Sequence, residues 1–263
     1  MRQKPKKSLG QNFLIDRNIQ DKIIQSCDLD KNDTVLEIGP GRGEISELLL
    51  PRVKKLISVE IDRQLCAILK DKFSNYSNFK LINADILETD LSRLAGRKKL
   101  KIIANLPYYI STPIITHLIQ HRKSISEIFL TLQKELAQRL TGEAGSKNYG
   151  AFSCFIQFYT QVQILFPIHN SSFWPKPKVD SRFIKLGVLA RTKIKVRNED
   201  LLFKIIRLAF NQRRKMLKNN LSRMFPESEV INCLESAGIN IRTRAEDLSL
   251  SDFAKLAESL DDK

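Results

Sequence analysis

Thr34-Val35-Leu36-Glu37-Ile38-Gly39-Pro40-Gly41-Arg42-Gly43-Glu44 passes from an apolar run through a glycine-rich turn into a helix-period segment that continues to Leu50. Strand, turn and helix in that order predict the first unit of an open α/β sheet. Glycines at the turn allow the backbone to approach a ligand closely. They fall at 39, 41 and 43, so the Gly-x-Gly-x-x-Gly spacing of a dinucleotide fingerprint is not met.

The same alternation recurs on both sides of this segment. Asp16 opens a helix to about Cys27, Leu56 to Glu60 reads as a strand, and Asp62 opens a helix to about Phe73. Strands follow at Phe79–Asn83, Lys101–Ala104 and Ile125–Thr131, with a helix from Thr112-Pro113 to about Gln120. Helices are expected at Glu135–Leu140 and Ala151–Tyr159, then strands at Gln161–Pro167 and Arg182–Leu189. The last two flank a proline-rich loop, Phe173-Trp174-Pro175-Lys176-Pro177-Lys178, and can close the sheet with an antiparallel edge. The fold class is α/β: a mostly parallel seven-stranded sheet covered on both faces. Beyond about Ala190 only helices are expected, with starts near Asn198, Arg213, Glu227 and Ser251. Gly142 to Gly150 reads as a surface loop.

The chain has 263 residues, 42% of them hydrophobic, and a formal charge of +15, which favours a polyanionic partner such as nucleic acid. From Arg191 to Met224 eleven basic residues face two acidic ones, a local excess of +9 that suits phosphate-backbone contacts. The sign reverses from Phe225 onward, where nine acids face four bases. Four scattered cysteines read as free thiols of a reducing cytosol. The basic start Met1-Arg2-Gln3-Lys4-Pro5-Lys6-Lys7 has no apolar signal core, and no apolar run approaches a membrane span. A cytoplasmic protein is expected. His117 and His121 sit one helical turn apart, but without a third ligand no metal site is expected.

Open α/β sheets bind ligands at the carboxyl ends of their strands. Glu60, at the second strand end, is placed to accept both hydroxyls of a ribose, whereas Asp62 reads as the next helix cap. In Asn83-Ala84-Asp85 the carboxylate of Asp85 can accept from an exocyclic amine. Asn105-Leu106-Pro107-Tyr108 offers a neutral amide, a carbonyl ahead of a proline and a stacking ring, the set needed to hold an amine beside a methyl donor. On those four residues alone the amine could belong to adenine, cytosine or glutamine.

Taken together with Ser8-Leu9-Gly10-Gln11-Asn12-Phe13-Leu14, Val59-Glu60-Ile61-Asp62, Gln133-Lys134-Glu135, Phe173-x-Pro175-x-Pro177-Lys178-Val179-Asp180-Ser181 and Phe210-Asn211-Gln212-Arg213-Arg214-Lys215, these motifs resemble the ribosomal RNA adenine dimethyltransferases. Leu106 and Arg213-Arg214-Lys215 are more similar to the small-subunit, KsgA-type branch than to the macrolide-resistance branch that acts on large-subunit RNA. The resemblance implies a Rossmann-like core over residues 1–190 that binds S-adenosylmethionine, and a helical RNA-binding domain over 191–263. It places Gln11, Asn12, Leu14, Glu37, Gly39, Gly41, Glu60, Ile61, Asp85, Ile86 and Asn105 at the cofactor. Asn105, Leu106, Pro107, Tyr108 and Phe173 would hold the target base, with Tyr108 and Phe173 as a stacking clamp. Arg213, Arg214, Lys215 and Lys218 would hold RNA, together with lysines near the N-terminus.

The implied reaction is dimethylation of N6 on two adjacent adenosines, in a hairpin loop near the 3′ end of the 16S RNA of the small ribosomal subunit. A monomer suffices for it. Two alternatives stay open: large-subunit methylation of the macrolide-resistance type, and an assembly factor for which binding outweighs catalysis. A DNA adenine methyltransferase is disfavoured because the helical part resembles no DNA-reading motif. Arg42 departs from the family pattern, standing where the turn commonly carries an apolar residue. Ile168-His169-Asn170 departs too, replacing a stretch often richer in proline; both bear on loop geometry.

Overall fold

The computed structural model describes residues 4–261; Met1–Gln3 of the basic N-terminus, Asp262 and Lys263 lie outside the described residues. In chain order the strands and helices are β1 (Phe13–Leu14), α1 (Arg17–Ser26), β2 (Thr34–Ile38), α2 (Glu44–Leu49), β3 (Lys55–Glu60), α3 (Arg63–Lys72), β4 (Phe79–Asn83) and α4 (Leu91–Ala95). They continue with β5 (Leu100–Asn105), α5 (Ser111–Gln120), β6 (Ile125–Gln133), α6 (Lys134–Leu140), α7 (Ala151–Tyr159), β7 (Thr160–Ile168), β8 (Phe173–Trp174) and β9 (Ser181–Val188). Four helices complete the described chain: α8 (Glu199–Phe210), α9 (Leu217–Leu221), α10 (Glu227–Ser236) and α11 (Leu250–Asp261).

A seven-stranded sheet runs in the order β4-β3-β2-β5-β6-β9-β7. The pairs β4–β3, β3–β2, β2–β5 and β5–β6 are parallel, and β9 returns antiparallel to β6. Central strands covered on both faces need continuous apolar runs. Val35, Leu36 and Ile38 of β2 and Leu100, Ile102 and Ile103 of β5 meet that need, all 4% exposed or less. From β2 the chain winds through β3 to β4 on one side; from β5 it winds to β6 on the other. Right-handed crossovers therefore put α2 and α3 on one face and α5 on the opposite face. The reversal point lies between β2 and β5, where ligands of such sheets bind.

The helix starts follow local chemistry. Asp16 caps α1 by accepting from the N–H groups of Asn18 and Ile19 at 3.1 and 3.3 Å, and Asp62 caps α3 by accepting from Gln64 at 3.0 Å. The helix expected from Thr112-Pro113 begins one residue earlier. A 3₁₀ turn over Tyr108–Ile110 leads directly into α5 at Ser111, whose hydroxyl donates to the Pro107 carbonyl at 3.0 Å. Pro113 then lies in the first helical turn, where its missing N–H costs nothing.

Lys101 puts a charge in a strand that is otherwise apolar, and it is 6% exposed. Its ammonium donates to the Asp28 carbonyl at 2.5 Å and pairs with Asp33 at 2.9 Å and Glu127 at 3.5 Å. The buried charge is thus compensated on three sides. Among the described residues no helix is long and apolar enough to cross a membrane.

Contacts cluster into two units, one of residues up to 137 with 163–188, the other of residues 138–162 with 189 onward. The helical unit therefore includes α7 and the loop ahead of it, as well as the helices expected beyond Ala190. Within that unit Phe155 and Phe158 of α7 meet Phe203 of α8 edge-on, at ring distances of 5.4 and 5.3 Å. The Tyr159 hydroxyl donates to Glu199 at 2.5 Å. The helix expected to start near Arg213 begins only at Leu217, and Arg213-Arg214-Lys215 form a turn.

Candidate active site

The carboxyl ends of β2, β3, β4 and β5 open into one cavity, which the N-terminal strap Leu9–Leu14 also lines. Gly39 and Gly41 line it at the end of β2. Gly39 has φ 65°, and a methyl group there would point into open space, so the turn leaves room for a ligand against its backbone. At Gly43 (φ 80°) a methyl group would come within 2.6 Å of the Phe73 ring, so glycine lets α2 seat beside α3.

Arg42 turns away from the cavity. Its guanidinium lies over two rings, 4.3 Å from the centroid of Phe13 and 5.0 Å from that of Trp174. These two rings belong to facing residues of β1 and β8, which pair antiparallel as Phe13↔Trp174 and Leu14↔Phe173. The departure from an apolar turn residue thus fastens the glycine turn to the strap. At the other departure, the Asn170 N–H donates to Asp180 at 3.0 Å and orders the loop before β8.

Glu60 at the end of β3 is 5% exposed. Its carboxylate accepts from the N–H of Asp62 at 2.9 Å and of Gly41 at 3.3 Å, which fixes its orientation toward the cavity it lines. Burial raises its pKa, with those N–H groups working in the opposite sense. Asp62 serves the strap: its carboxylate accepts from Lys6 Nζ at 2.7 Å and Gln11 Nε2 at 3.0 Å. Burial pushes the Asp62 pKa up, but these bonds outweigh it and the net direction is down. Gln11 lines the cavity, yet its side chain is engaged at both ends, since Oε1 also accepts from the Lys6 N–H at 2.8 Å.

Asp85 both caps a turn and lines the cavity. One oxygen caps the following turn by accepting from Leu87 at 2.9 Å, while the residue lines the cavity with Ile61 and Ile86. Ile61 is 50% exposed, an apolar side chain in solvent at a cavity rim. Leu14 is buried, and its carbonyl accepts from Gln20 Nε2 at 2.7 Å.

Asn105, Leu106, Pro107 and Tyr108 all line the cavity at the end of β5. The Asn105 amide nitrogen donates to the Asn12 carbonyl at 2.9 Å. That bond commits the nitrogen to the strap and leaves the side-chain oxygen as the acceptor that Asn105 presents. Asn12 in turn donates to the Gly10 carbonyl at 3.2 Å. The Tyr108 hydroxyl is bonded to Ser181 at 2.7 Å, which holds its ring in place.

Phe173 departs from expectation. It is 3% exposed and packs in the apolar cluster that contains Leu14, Ile23, Phe166 and Phe183, outside the cavity lining. The β1–β8 pairing turns its ring into the core, so it anchors the loop and is not a face of the clamp. Two residues with no expected role also line the cavity: Phe13, within Ser8–Leu14, and Tyr109, which directly follows Asn105-Leu106-Pro107-Tyr108. Tyr109 is a large ring beside that motif, and this adjacency was its only signal.

Glu37 lies deeper. Its Oε2 accepts from the hydroxyls of Ser46 at 2.5 Å and Ser58 at 3.2 Å. Burial pushes its pKa up to about 7; the two serines pull it down, and Glu44 and Glu60 add repulsion. A carboxyl raised on folding contributes stability that is full below the ordinary value of 4.5 and lost as pH rises through about 7. Glu37→Gln keeps an acceptor for both serines without a charge to desolvate. Urea unfolding of the ligand-free protein should show it more stable than the parent by about 1–3 kcal/mol at pH 8, the gap closing toward pH 4.5. A gap independent of pH would refute this origin.

In the helical unit Arg213 donates to the Lys147 carbonyl at 3.1 and 3.2 Å and pairs with Glu246 at 2.9 Å, while Lys218 pairs with Glu227 at 2.5 Å. Arg214 and Lys215 are exposed. Among the described residues no group of three or more His, Cys, Asp or Glu side chains is placed to hold a metal.

A doubly wound sheet with a glycine turn, a fixed carboxylate and a neutral hydrogen-bond acceptor meeting at its reversal point defines a class, the Rossmann-like methyltransferases. Residues 2–262 match the ribosomal RNA adenine dimethylase family, and the chain belongs to that family. A relative from Clostridium botulinum, named ribosomal RNA small subunit methyltransferase A, is 40% identical over 97% of this chain and 94% of its own. A dimethyladenosine transferase from Plasmodium falciparum superposes with a TM-score of 0.82 at 29% identity, covering 93% of this chain and 95% of that one. The 23S rRNA methyltransferase ErmE shares the fold with a TM-score of 0.73 at 24% identity, over 95% and 99% of the two chains.

Proposed function

We propose that this methyltransferase uses S-adenosylmethionine to dimethylate N6 of two adjacent adenosines, in a hairpin loop near the 3′ end of small-subunit ribosomal RNA. The observation that carries the reading is the Asn105–Asn12 bond, which leaves a neutral acceptor in the lining of the cavity. The name of the Clostridium botulinum relative supports the small subunit as substrate.

The residues present fit the cofactor. Glu60, an acceptor held in place by two N–H groups, suits the two hydroxyls of a ribose, and the free oxygen of Asp85 suits the adenine amine. Ile61 and Ile86 offer apolar surface to the adenine faces, and Gly39 leaves space where any side chain would intrude. When bound, S-adenosylmethionine supplies an electrophilic methyl on a sulfonium, so the protein's task is orientation.

The target amine is the weak partner, because its lone pair is delocalised into the purine ring. Acceptors at Asn105 Oδ1 and the Leu106 carbonyl take its hydrogens and favour a pyramidal nitrogen. Orientation and electrostatics of this kind are worth several kcal/mol, roughly 10²–10³-fold in rate. No charged base is required, since the proton can leave after transfer. The base must first be turned out of its stack at a cost of a few kcal/mol, which stacking on Tyr108 helps to offset. The exposed Arg214 and Lys215 of the helical unit would meet the RNA through phosphates.

The test is transfer of labelled methyl from S-adenosylmethionine to small subunits lacking the modification, with large subunits assayed in parallel. Four methyls per small subunit, mapped to two neighbouring adenosines, are expected. Labelling of large subunits alone would overturn the assignment in favour of the macrolide-resistance type.

A further inference from the structure

With Phe173 in the core, four rings line the cavity among the described residues: Phe13, Tyr108, Tyr109 and Phe183. Phe13 and Phe183 are 6% and 1% exposed, so they are structural. Tyr108 is held inward by Ser181, whereas Tyr109 is 63% exposed. An aromatic side chain that gives so much surface to water at a cleft rim has a face available for another flat group.

The two tyrosines cannot grip the same base. They are consecutive in a 3₁₀ turn, where successive side chains diverge by about 120°. Opposed faces of one purine would need them parallel and facing. Tyr109 instead lies over the strap. A methyl group at Gly10 would come within 2.9 Å of two carbons of its ring, so one side of that ring rests on glycine backbone. Gly10, with φ 57°, provides the place that any side chain would fill.

We infer that Tyr109 is a stacking platform for the nucleobase that flanks the adenosine being methylated, a positioning residue for RNA rather than a contact to the cofactor. This rests on the function proposed above, which presents two adjacent adenosines to one cleft. The flanking base is one phosphate away from the base in the cleft, and once its neighbour has been turned out it has lost a stacking partner. A ring at the rim replaces that partner. Every base presents a π face, so the platform accepts either adenosine of the pair while the other is inside.

The experiment uses the full chain and small subunits reconstituted on transcribed RNA. One subunit carries both adenosines, and a second carries uridine, a weaker stacker, in place of the flanking one. On the first, Tyr109→Leu should lower kcat/KM for the subunit by roughly 5- to 150-fold, the range set by loss of one base–aromatic stack. Tyr109→Phe should retain it, and cofactor affinity should be unchanged in both variants. On the uridine subunit the Leu penalty should shrink toward one. An equal penalty on both subunits, a Phe variant as poor as Leu, or weakened cofactor binding would each overturn the platform and leave the proposed function standing. Failure of the unaltered chain to methylate either subunit would instead overturn that function, and the platform with it.

Discussion

Asn105→Ala should lower the single-turnover rate of methyl transfer by about 10²–10³-fold while small-subunit binding stays within a few-fold of the parent. The substitution removes the acceptor that the amide presents and also the bond from its nitrogen to the Asn12 carbonyl. Loss of either would misplace an amine that must be aligned to react. Asn105→Asp separates the two contributions. It keeps an oxygen acceptor but sets a carboxylate against the carbonyl of Asn12, a repulsion relieved only when the acid is protonated and can donate. The Asp variant should therefore recover part of the rate as pH falls, which the Ala variant has no means of doing. Transfer undiminished in Asn105→Ala would remove Asn105 from the reaction; equal pH profiles in the two variants would refute the role of the Asn12 tether.

The parts of this site that sequence made legible are those fixed by neighbours along the chain. Apolar runs located β2, β3, β5 and β6, because a strand buried on both faces has little compositional freedom. Asp16 and Asp62 were readable as caps because a cap bonds N–H groups only two or three residues away. What sequence hid depends on pairings remote in the chain. A two-residue strand such as β1 has no periodicity to detect, and its partner β8 lies about 160 positions further on. That pairing decides the fate of Phe173, which in a proline-rich loop reads as a free ring and in the fold is a core residue.

The turn at Arg213 has the same kind of cause. Good helix formers run through the segment, but Arg213 is drawn to the Lys147 carbonyl and to Glu246, neither visible locally. The place of residues 138–162 in the helical unit is likewise settled by aromatic contacts of α7 with α8. Arg42 shows the converse. As a departure from the family pattern it was legible at once, while its role came only with the Phe13 and Trp174 rings that it lies over.

Glu60→Gln should weaken S-adenosylmethionine binding by roughly 100-fold or more, since two hydrogen bonds to a charged acceptor are each worth about 1.5–3 kcal/mol. The amide is a poor substitute for geometric reasons. Both Glu60 oxygens already face N–H donors, Asp62 at 2.9 Å and Gly41 at 3.3 Å, and a ribose diol brings two more. An NH₂ group in either position meets a donor with a donor. The parent should lose cofactor affinity as pH falls through the raised pKa of Glu60, because only the charged form accepts at both oxygens, and the Gln variant should lack that dependence. Calorimetric titration with the cofactor across pH measures both effects. The same variant separates enzyme from assembly factor, because the fault lies at the cofactor and leaves the exposed basic residues of the helical unit untouched. If catalysis is the purpose of binding, cells carrying Glu60→Gln should accumulate unmethylated small subunits with the defects of a deletion. Normal maturation with unmethylated RNA would show instead that recognition of the subunit, rather than the methyl group, is what the fold was kept for.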